Sequence, residues 1–579
     1  MKFWPNRWLL LFLVVLTALR LVLGAQMEVS PDEAYYYQWS QRLDWAYYSK
    51  GPGVSLAIRA GTALLGPTAG GVRLLSPLLA LGTSLVLFGL ARRLYGESVA
   101  TWAVLMLNVT PIFNVGGLLM TIDALSIFFW GAALWAFWAA LERSPKFSWF
   151  WALAGALIGL GFLAKYTNAM ELLSVVLVLL LTRKLRGEFA RPGFWVLLGV
   201  FALAVIPPVA WNAGHDWITL EHLRARGGLD SKFGFHPEEL LVFIGMHFGV
   251  YSPLIFGGML VALWRGCRVG WADFRVKFLV LFAAPLLAMY CALSIKHAGE
   301  ANWTAPAFVS LGILTVAFWH GLAHERVWAR RYVLAALGLG LVMSLVIVNT
   351  DAVRRLGVRW SHDQDPGARL RGWETVALGV DELRHKLEAE SGKPMFLIAN
   401  KYQTASSLSF YLPEKRADGP GHPPVYIPES QAIENQYSFW GRYDEMEEPT
   451  ELAKGLLPTV TDPALRGSLE AALKNLSVPN MAKVSEEVRG ERRQALIRAL
   501  LLVNPSLPLD EYSSEDWGVS LFQGRDALFI TDQSRRVPAA IRKGFEKVEM
   551  VAAWKEERRG LPLRLIWVFA CHNYRSLPL

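Results

Sequence analysis

Eleven apolar stretches, near 8–24, 75–92, 98–116, 122–141, 148–164, 168–182, 194–211, 241–264, 277–295, 303–320 and 332–349, dominate the first 350 residues. Each is long enough, or nearly so, to cross a hydrocarbon layer of about 30 Å. In lipid every backbone polar group must be satisfied within the chain, so this pattern confines residues 1–350 to a polytopic α-helical membrane fold. Hydrophobicity fades after Asp351, and residues 351–579 read as a separate, soluble domain.

Charge follows the same division. Residues 1–350 hold 27 Lys+Arg against 17 Asp+Glu and residues 351–579 hold 31 against 32, so the net +9 is +10 on the membrane part and −1 on the tail. The basic excess is therefore a topology signal and not the footprint of a nucleic-acid partner. With a cytoplasmic N-terminus, the inside loops collect Arg92, Arg93, Arg143, Lys146, Arg183, Lys184, Arg186, Arg191, Arg265, Arg268, Arg275, Lys277, Arg326, Arg330 and Arg331. The long loops 25–74 and 212–240, and the whole tail, then lie outside the cytoplasm. Arg20 inside the first apolar run, and the spans that follow it, favour an uncleaved first helix over a signal peptide.

Within loop 25–74, "GVSLAIRAGTALL" is an amphipathic piece suited to the membrane interface. Loop 212–240 has the polar composition of a lid or substrate loop. The tail reads as α/β: helices at "DELRHKLEAE" and "YQTASSLSFYL", strands at "MFLIAN", "PVYI", "ALFITD", "VEMVAAW" and "LRLIWVFAC". An acidic and then helical stretch at 443–520 has the character of an insertion. Cys267, Cys291 and Cys571 form neither a disulfide framework nor a zinc motif.

"SPDEAYYYQW", residues 30–39, carries the sharpest chemical signal. Ser30 with Glu33 three residues later is a capping box, and Pro31 falls at the first helical position. Helix initiation explains much of Glu33, which stays beside Asp32 as a catalytic candidate. Asp32 lies about 100° around the helix and shares a face with Tyr35 and Tyr36. An acid beside aromatics at a membrane boundary suits proton abstraction from a hydroxyl. Lys50, in "YYSKGPG" where the glycines would let a substrate approach the backbone, and Arg73 lie on the same outer side. Arg20 and Lys165 fall within or at the outer edge of apolar runs, where an ionisable side chain is a functional candidate and snorkelling is the competing explanation. A base with several cations suits a substrate whose leaving group carries a phosphate. Asp123, Lys296, His297 and Asn302 reach the same surface and, with Tyr35 and Tyr36, are substrate-binding or orienting candidates. "HDQD" (362–365) and the His320/His324 pair are weak metal patterns, and the sequence neither requires nor excludes a divalent cation. No phosphate-binding glycine loop supports cytosolic nucleotide chemistry.

"SPDEAYYYQWSQRLDWAYYSKGPGVSLAIRAGTALLGPTAGGVRLLS" resembles the first exoplasmic loop of membrane glycosyltransferases with the GT-C fold. The branch is the one holding the protein O-mannosyltransferases and the bacterial enzymes that add aminoarabinose to lipid A. "TIDALSIFFW", "GFLAKYT" and "ANWTAPA" resemble further motifs of that group. "DPGARLRGW", "ANKYQTASSLSFYLP", "NQYSFW" and "GRDALFITD" resemble the soluble domain of a bacterial subgroup. The likeness covers nearly the whole chain except about 443–520. It departs at "SKGPG", where many members have "HPP". The resemblance implies a multi-pass protein of the bacterial inner membrane that moves a sugar, with inversion, from a polyprenyl-phosphate carrier to a lipid or protein acceptor. Asp32 matches the general base and Glu33 its neighbour, while Lys50 and Arg73 match phosphate-holding positions, joined by Lys165 and Arg20 in the reading above. The rival readings are a lipid or solute transporter, which would show related halves or paired broken helices, and a non-catalytic envelope-assembly protein.

Overall fold

In the computed structural model, the described residues are 6–230, 234–351, 357, 365, 367–416, 418, 421–430, 432–445, 449–476, 486–503, 522–533, 535–558 and 561–575. They form two compact units, Met1–Arg369 and Leu370–Leu579.

The first unit is helical throughout: α1 (Arg7–Gln26), α2 (Pro31–Ser40), α3 (Gly53–Leu65), α4 (Ala69–Arg73), α5 (Leu75–Tyr95), α6 (Glu97–Val109), α7 (Pro111–Gly116), α8 (Ile122–Leu141), α9 (Phe150–Ala164), α10 (Met170–Leu181), α11 (Pro192–Ala213), α12 (Ile218–Arg226), α13 (Pro237–Tyr251), α14 (Pro253–Arg268), α15 (Phe274–Ser294), α16 (Ala307–Glu325) and α17 (Val327–Val348). Among the described residues, seven spans are long and apolar enough to cross a membrane: α1, α4–α5 together, α8, α11, α15, α16 and α17. The α13–α14 pair passes the same test jointly but is bent by 118°. Shorter apolar helices fill the remaining predicted stretches at Glu97–Val109, Phe150–Ala164 and Tyr166–Leu181.

Two of the eleven stretches are broken within the apolar run. Stretch 98–116 breaks at Thr110 before Pro111, and stretch 241–264 at Ser252 (φ 74°) before Pro253. Proline supplies no N–H and disfavours helical geometry in the residue before it, so a helix running into it ends there. Hydropathy is blind to such a break because both halves stay apolar.

Burial orders the bundle. Helix α8 buries 78% of its most apolar window, against 28% for α1, 22% for α11 and 17% for α17. The core forms around α8, where Trp130 and Trp151 are fully enclosed and Phe137 meets Trp151, Phe278 and Phe282 with ring centroids 5.6–6.1 Å apart.

The second unit has α18 (Trp373–Ser391), α19 (Tyr402–Tyr411), α20 (Pro449–Leu456), α21 (Pro463–Leu476), α22 (Glu486–Val503) and α23 (Ala539–Gly544) around a four-stranded sheet. Strands β1 (Met395–Ala399), β2 (Asp526–Thr531), β3 (Phe545–Arg558) and β4 (Leu561–Tyr574) are ordered β1-β2-β4-β3, with β1 and β2 parallel and the other pairs antiparallel. The predicted strand "PVYI" is only a single bridge, Tyr426 to Ile398. Helices α20–α22, from the stretch expected to be an insertion, share a core with the sheet: Leu452, Leu469 and Leu496 pack in one cluster with Phe396 and Phe529. Residues 446–448, 477–485 and 504–520 of that stretch, and 362–364 of "HDQD", lie outside the described residues. Asp365 accepts a turn bond from Gly367 N at 2.8 Å.

Candidate active site

The site is assembled from the first long loop, the ends of α8 and α9, the short helix α12 and the turn before α16. Helix α2 starts as its sequence dictates. Ser30 Oγ accepts from Glu33 N (3.3 Å) and Glu33 Oε2 accepts from Ser30 N (2.9 Å), completing the capping box around Pro31.

Glu33 does more than cap. It is fully buried, and its carboxylate accepts from Arg73 Nε (2.7 Å), Arg73 Nη2 (2.6 Å) and Met120 N (2.8 Å). Arg73, itself buried, spends its remaining donors on the carbonyls of Gly24, Met27 and Glu28 at 2.7–2.8 Å. All five guanidinium N–H groups are thereby committed to the protein. This corrects two sequence expectations. Arg73 has no donor left for a phosphate, and Glu33 is too enclosed and too fully bonded to take part in chemistry.

Asp32 is the opposite case. Its side chain is accessible, and among the described residues no hydrogen bond or ion pair holds it. Protein atoms nevertheless crowd it, and this desolvation raises its carboxyl above the ordinary value; Arg369, Arg226 and Lys50 pull the other way and Glu33 adds to the rise. A carboxylate that is reachable, unbonded and raised is equipped to accept a proton. Tyr35 and Tyr36 both pack against Trp39, with centroids 4.9 and 5.1 Å away, and Trp39 stacks on Tyr47 at 4.4 Å. These rings make the rigid floor of the loop.

Lys50 is held by backbone fit. A Cβ on Gly51 would come within 2.2 Å of Leu163 O, and one on Gly53 within 2.9 Å of Ala164 Cα. The glycines of "SKGPG" therefore let the loop sit directly on the end of α9, instead of opening the backbone to a substrate as the sequence suggested. That contact sets Lys50 beside Lys165, the residue that ends α9. Half-buried, Lys50 has its ammonium lowered to about 8, by desolvation first, then by Arg226 and Lys165, against the pull of Asp123 and Asp32. No described residue hydrogen-bonds its Nζ.

Lys165 is buried and donates to Asp123 Oδ1 at 2.7 Å, while Asn302 Nδ2 donates to Asp123 Oδ2 at 2.7 Å. Asp123, at the start of α8, thus ties the end of α9 to the turn before α16. One of the three Lys165 donors is used by this contact.

Two residues of the site escaped the sequence reading. Arg226 ends α12 and stacks over Trp303 at 5.4 Å, with no described acidic partner, yet it acts on both Asp32 and Lys50. His222 lies one turn earlier, its ring 4.6 Å from Tyr48; burial, Lys50 and Arg226 lower it to about 4, which keeps it neutral. Their i,i+4 spacing in "LEHLRARG" puts them on one helix face and was the available signal. Helix α12 is pinned by Thr219, which bonds Tyr47 O and Asn212 Oδ1.

The remaining candidates fall outside the cluster. Lys296 donates to Gly228 O, so it fixes the end of α12 and does not reach the acid. His297 has a side chain 80% exposed, and Glu239 lies 4.0 Å from its Nδ1. Arg20 neither snorkels nor joins Asp32: it is buried and donates to Asn108 and Asn114 side chains at 3.1 and 3.2 Å. Among the described residues, no three His, Cys, Asp or Glu side chains gather as a metal site.

With this geometry in place, the likeness to other proteins becomes specific. The fold is the GT-C fold of multi-pass membrane glycosyltransferases. Crystal structures of ArnT from Cupriavidus metallidurans, in the apo state and bound to undecaprenyl phosphate, match with TM-scores of 0.54 and 0.57 at 17% and 16% identity. Each match covers 97% of this chain, and 97% and 98% of those chains. Residues 49–211, which hold Lys50, Asp123 and Lys165, match the family model described as dolichyl-phosphate-mannose-protein mannosyltransferase. The chain is 32% identical over 289 residues to the lipid A galacturonosyltransferase RgtD of Rhizobium johnstonii, a match covering 49% of this chain and 59% of that relative. It thus spans under two thirds of the relative's length. The chain has the GT-C fold of ArnT, and part of it resembles the protein mannosyltransferase family.

Proposed function

We propose that this protein is a membrane glycosyltransferase that moves a sugar from a polyprenyl-phosphate carrier to a hydroxyl of an envelope acceptor. The observation that carries the reading is one unbonded acid, Asp32, with Arg369, Arg226 and Lys50 acting on it, and with Lys165 acting in turn on Lys50. Support comes also from ArnT having been solved with undecaprenyl phosphate and from the name of RgtD, which speaks for a lipid A-like acceptor over a protein.

In this mechanism Asp32 takes the proton of the acceptor hydroxyl as its oxygen attacks the anomeric carbon. Attack comes from the face opposite the phosphate, so the configuration inverts. The bond from anomeric carbon to phosphate oxygen breaks, and the carrier phosphate leaves with the electron pair. Lys50, Arg226 and the free donors of Lys165 meet that growing charge, in an environment whose low dielectric strengthens them. Asp123 and Asn302 position Lys165, and Glu33 with Arg73 positions the helix that bears Asp32. The site faces the outer side of the inner membrane, with the N-terminus in the cytoplasm.

The test uses purified protein in proteoliposomes with a polyprenyl-phosphate sugar and a lipid A acceptor. Asp32→Asn should abolish transfer while thermal stability stays at the native level. Native transfer rates in that variant would end the assignment of the base.

A further inference from the structure

At the other end of the bundle from Asp32, a cavity of about 480 Å³ opens between α6, α14, α16 and α17. Two helices measure the separation. Helix α5 runs 21 residues from beside Arg73 to the turn before Ser98, roughly 30 Å, and α16 runs 19 residues from the Asn302 side to Glu325. The cavity is thus no extension of the Asp32 site.

Its walls and its mouth differ in chemistry. The inner part is apolar, reaching Met106, Leu254 and Leu337. From Ser98 to Met106 along α6 is roughly 12 Å, and from Arg330 to Leu337 along α17 roughly 10 Å, so the cavity is deep enough to take part of an acyl chain. Several polar groups of the wall are already bound. Trp319 Nε1 donates to Gly258 O (3.0 Å), Tyr332 Oη to Leu254 O (2.6 Å), and His320 Nε2 pairs with Ser98 Oγ (2.7 Å). At the mouth stand Arg330 and His324, both exposed. No described residue pairs with the Arg330 guanidinium, and His324, whose Nδ1 bonds His320 O at 2.7 Å, keeps Nε2 free. The α16–α17 turn adds Arg326 beside a single acid, Glu325.

We propose that this cavity is a binding site for an anionic phospholipid, with its phosphate on Arg330 and one acyl chain running inward between α6, α14 and α17. A basic mouth over an apolar, chain-deep interior matches a lipid of that charge and shape. A zwitterionic lipid would bring its own ammonium up to the basic mouth, and free phosphate would leave the apolar depth empty.

The experiment uses the full chain in phosphatidylcholine nanodiscs doped with a phosphatidylglycerol that carries a photoreactive diazirine midway along one acyl chain. After irradiation, labelled peptides are mapped by mass spectrometry. Label is expected around Met106, Leu254 and Leu337. Arg330→Gln should lower it roughly 5-fold, the weight of one arginine at an anionic membrane surface. Arg330→Lys should restore most of it, Arg331→Gln should leave it unchanged, and Ala336→Trp should block it by filling the cavity. Equal labelling by the phosphatidylcholine analogue would overturn the proposal, as would an equal loss in Arg331→Gln. Loss of label on adding millimolar inorganic phosphate would assign the mouth to free phosphate and overturn the lipid assignment.

Discussion

Arg73 and Glu33 form a closed, buried pair, with Nη2 2.6 Å from Oε2 and side chains 2% and 0% exposed. Forty residues separate them in sequence, and their contact fixes the start of α2 against the chain leading into α5. Breaking a buried pair by removing one partner leaves an uncompensated charge, at a cost of about 3–5 kcal/mol. Glu33→Gln and Arg73→Met should therefore lower the unfolding temperature and the yield of folded protein, with activity lost in proportion. A native melting curve in either variant would show that the pair does not hold the fold.

Asp32, one residue away, should behave differently. Its raised carboxyl is a base only when ionised, so transfer should fall as pH drops through its folded pKa. The sign is fixed: burial moves that acid limb upward from the ordinary aspartate value near 4. The pH profile of kcat/KM, measured with a neutral acceptor, should show an acid limb above that value. A limb at the ordinary position, or none, would contradict the role of Asp32.

The contrast between these neighbours shows what the sequence could and could not reveal. The capping box was legible because its partners are three residues apart, and Asp32 stood out as the acid the box did not use. The Arg73–Glu33 pair is long-range, and no local pattern announces it, so Arg73 looked like a free cation. The bend at Ser252 hid inside an apolar run, although Ser252-Pro253 was a visible break signal. Arg226 and His222 lay in a loop legible only as polar; their place beside Lys50 depends on how α12 is pinned by Thr219. The glycines of "SKGPG" were noticed, but what they approach, the backbone of Leu163 and Ala164, is set by tertiary packing.

That packing is itself testable. An alanine at position 51 would press its Cβ to within 2.2 Å of the Leu163 carbonyl oxygen, and backbone is not a neighbour that yields cheaply. Gly51→Ala should cost about 1–3 kcal/mol of stability. It should also displace Lys50, so the donor KM rises more than the acceptor KM in steady-state assays. Equal effects on both would mean that the loop does not aim Lys50 at the donor.

Lys50 and Asp123 yield a linked prediction. Lys50 binds a phosphate only as the ammonium, and its pKa is lowered to about 8, so donor affinity should hold below that pH and fall as pH rises through it. Lys50→Ala should reduce kcat/KM on the order of 10²-fold or more, and Lys50→Arg, which stays charged, should remove the alkaline limb. Asp123 is one of the groups that favour the charged form of Lys50. Asp123→Asn takes that support away while keeping the shape that Lys165 and Asn302 bind, so the limb should move to lower pH. Asp123→Glu should keep it near its native position. If Asp123→Asn leaves the limb in place or moves it upward, the two residues are not coupled through charge, and Asp123 acts only as the strut between α8, α9 and Asn302.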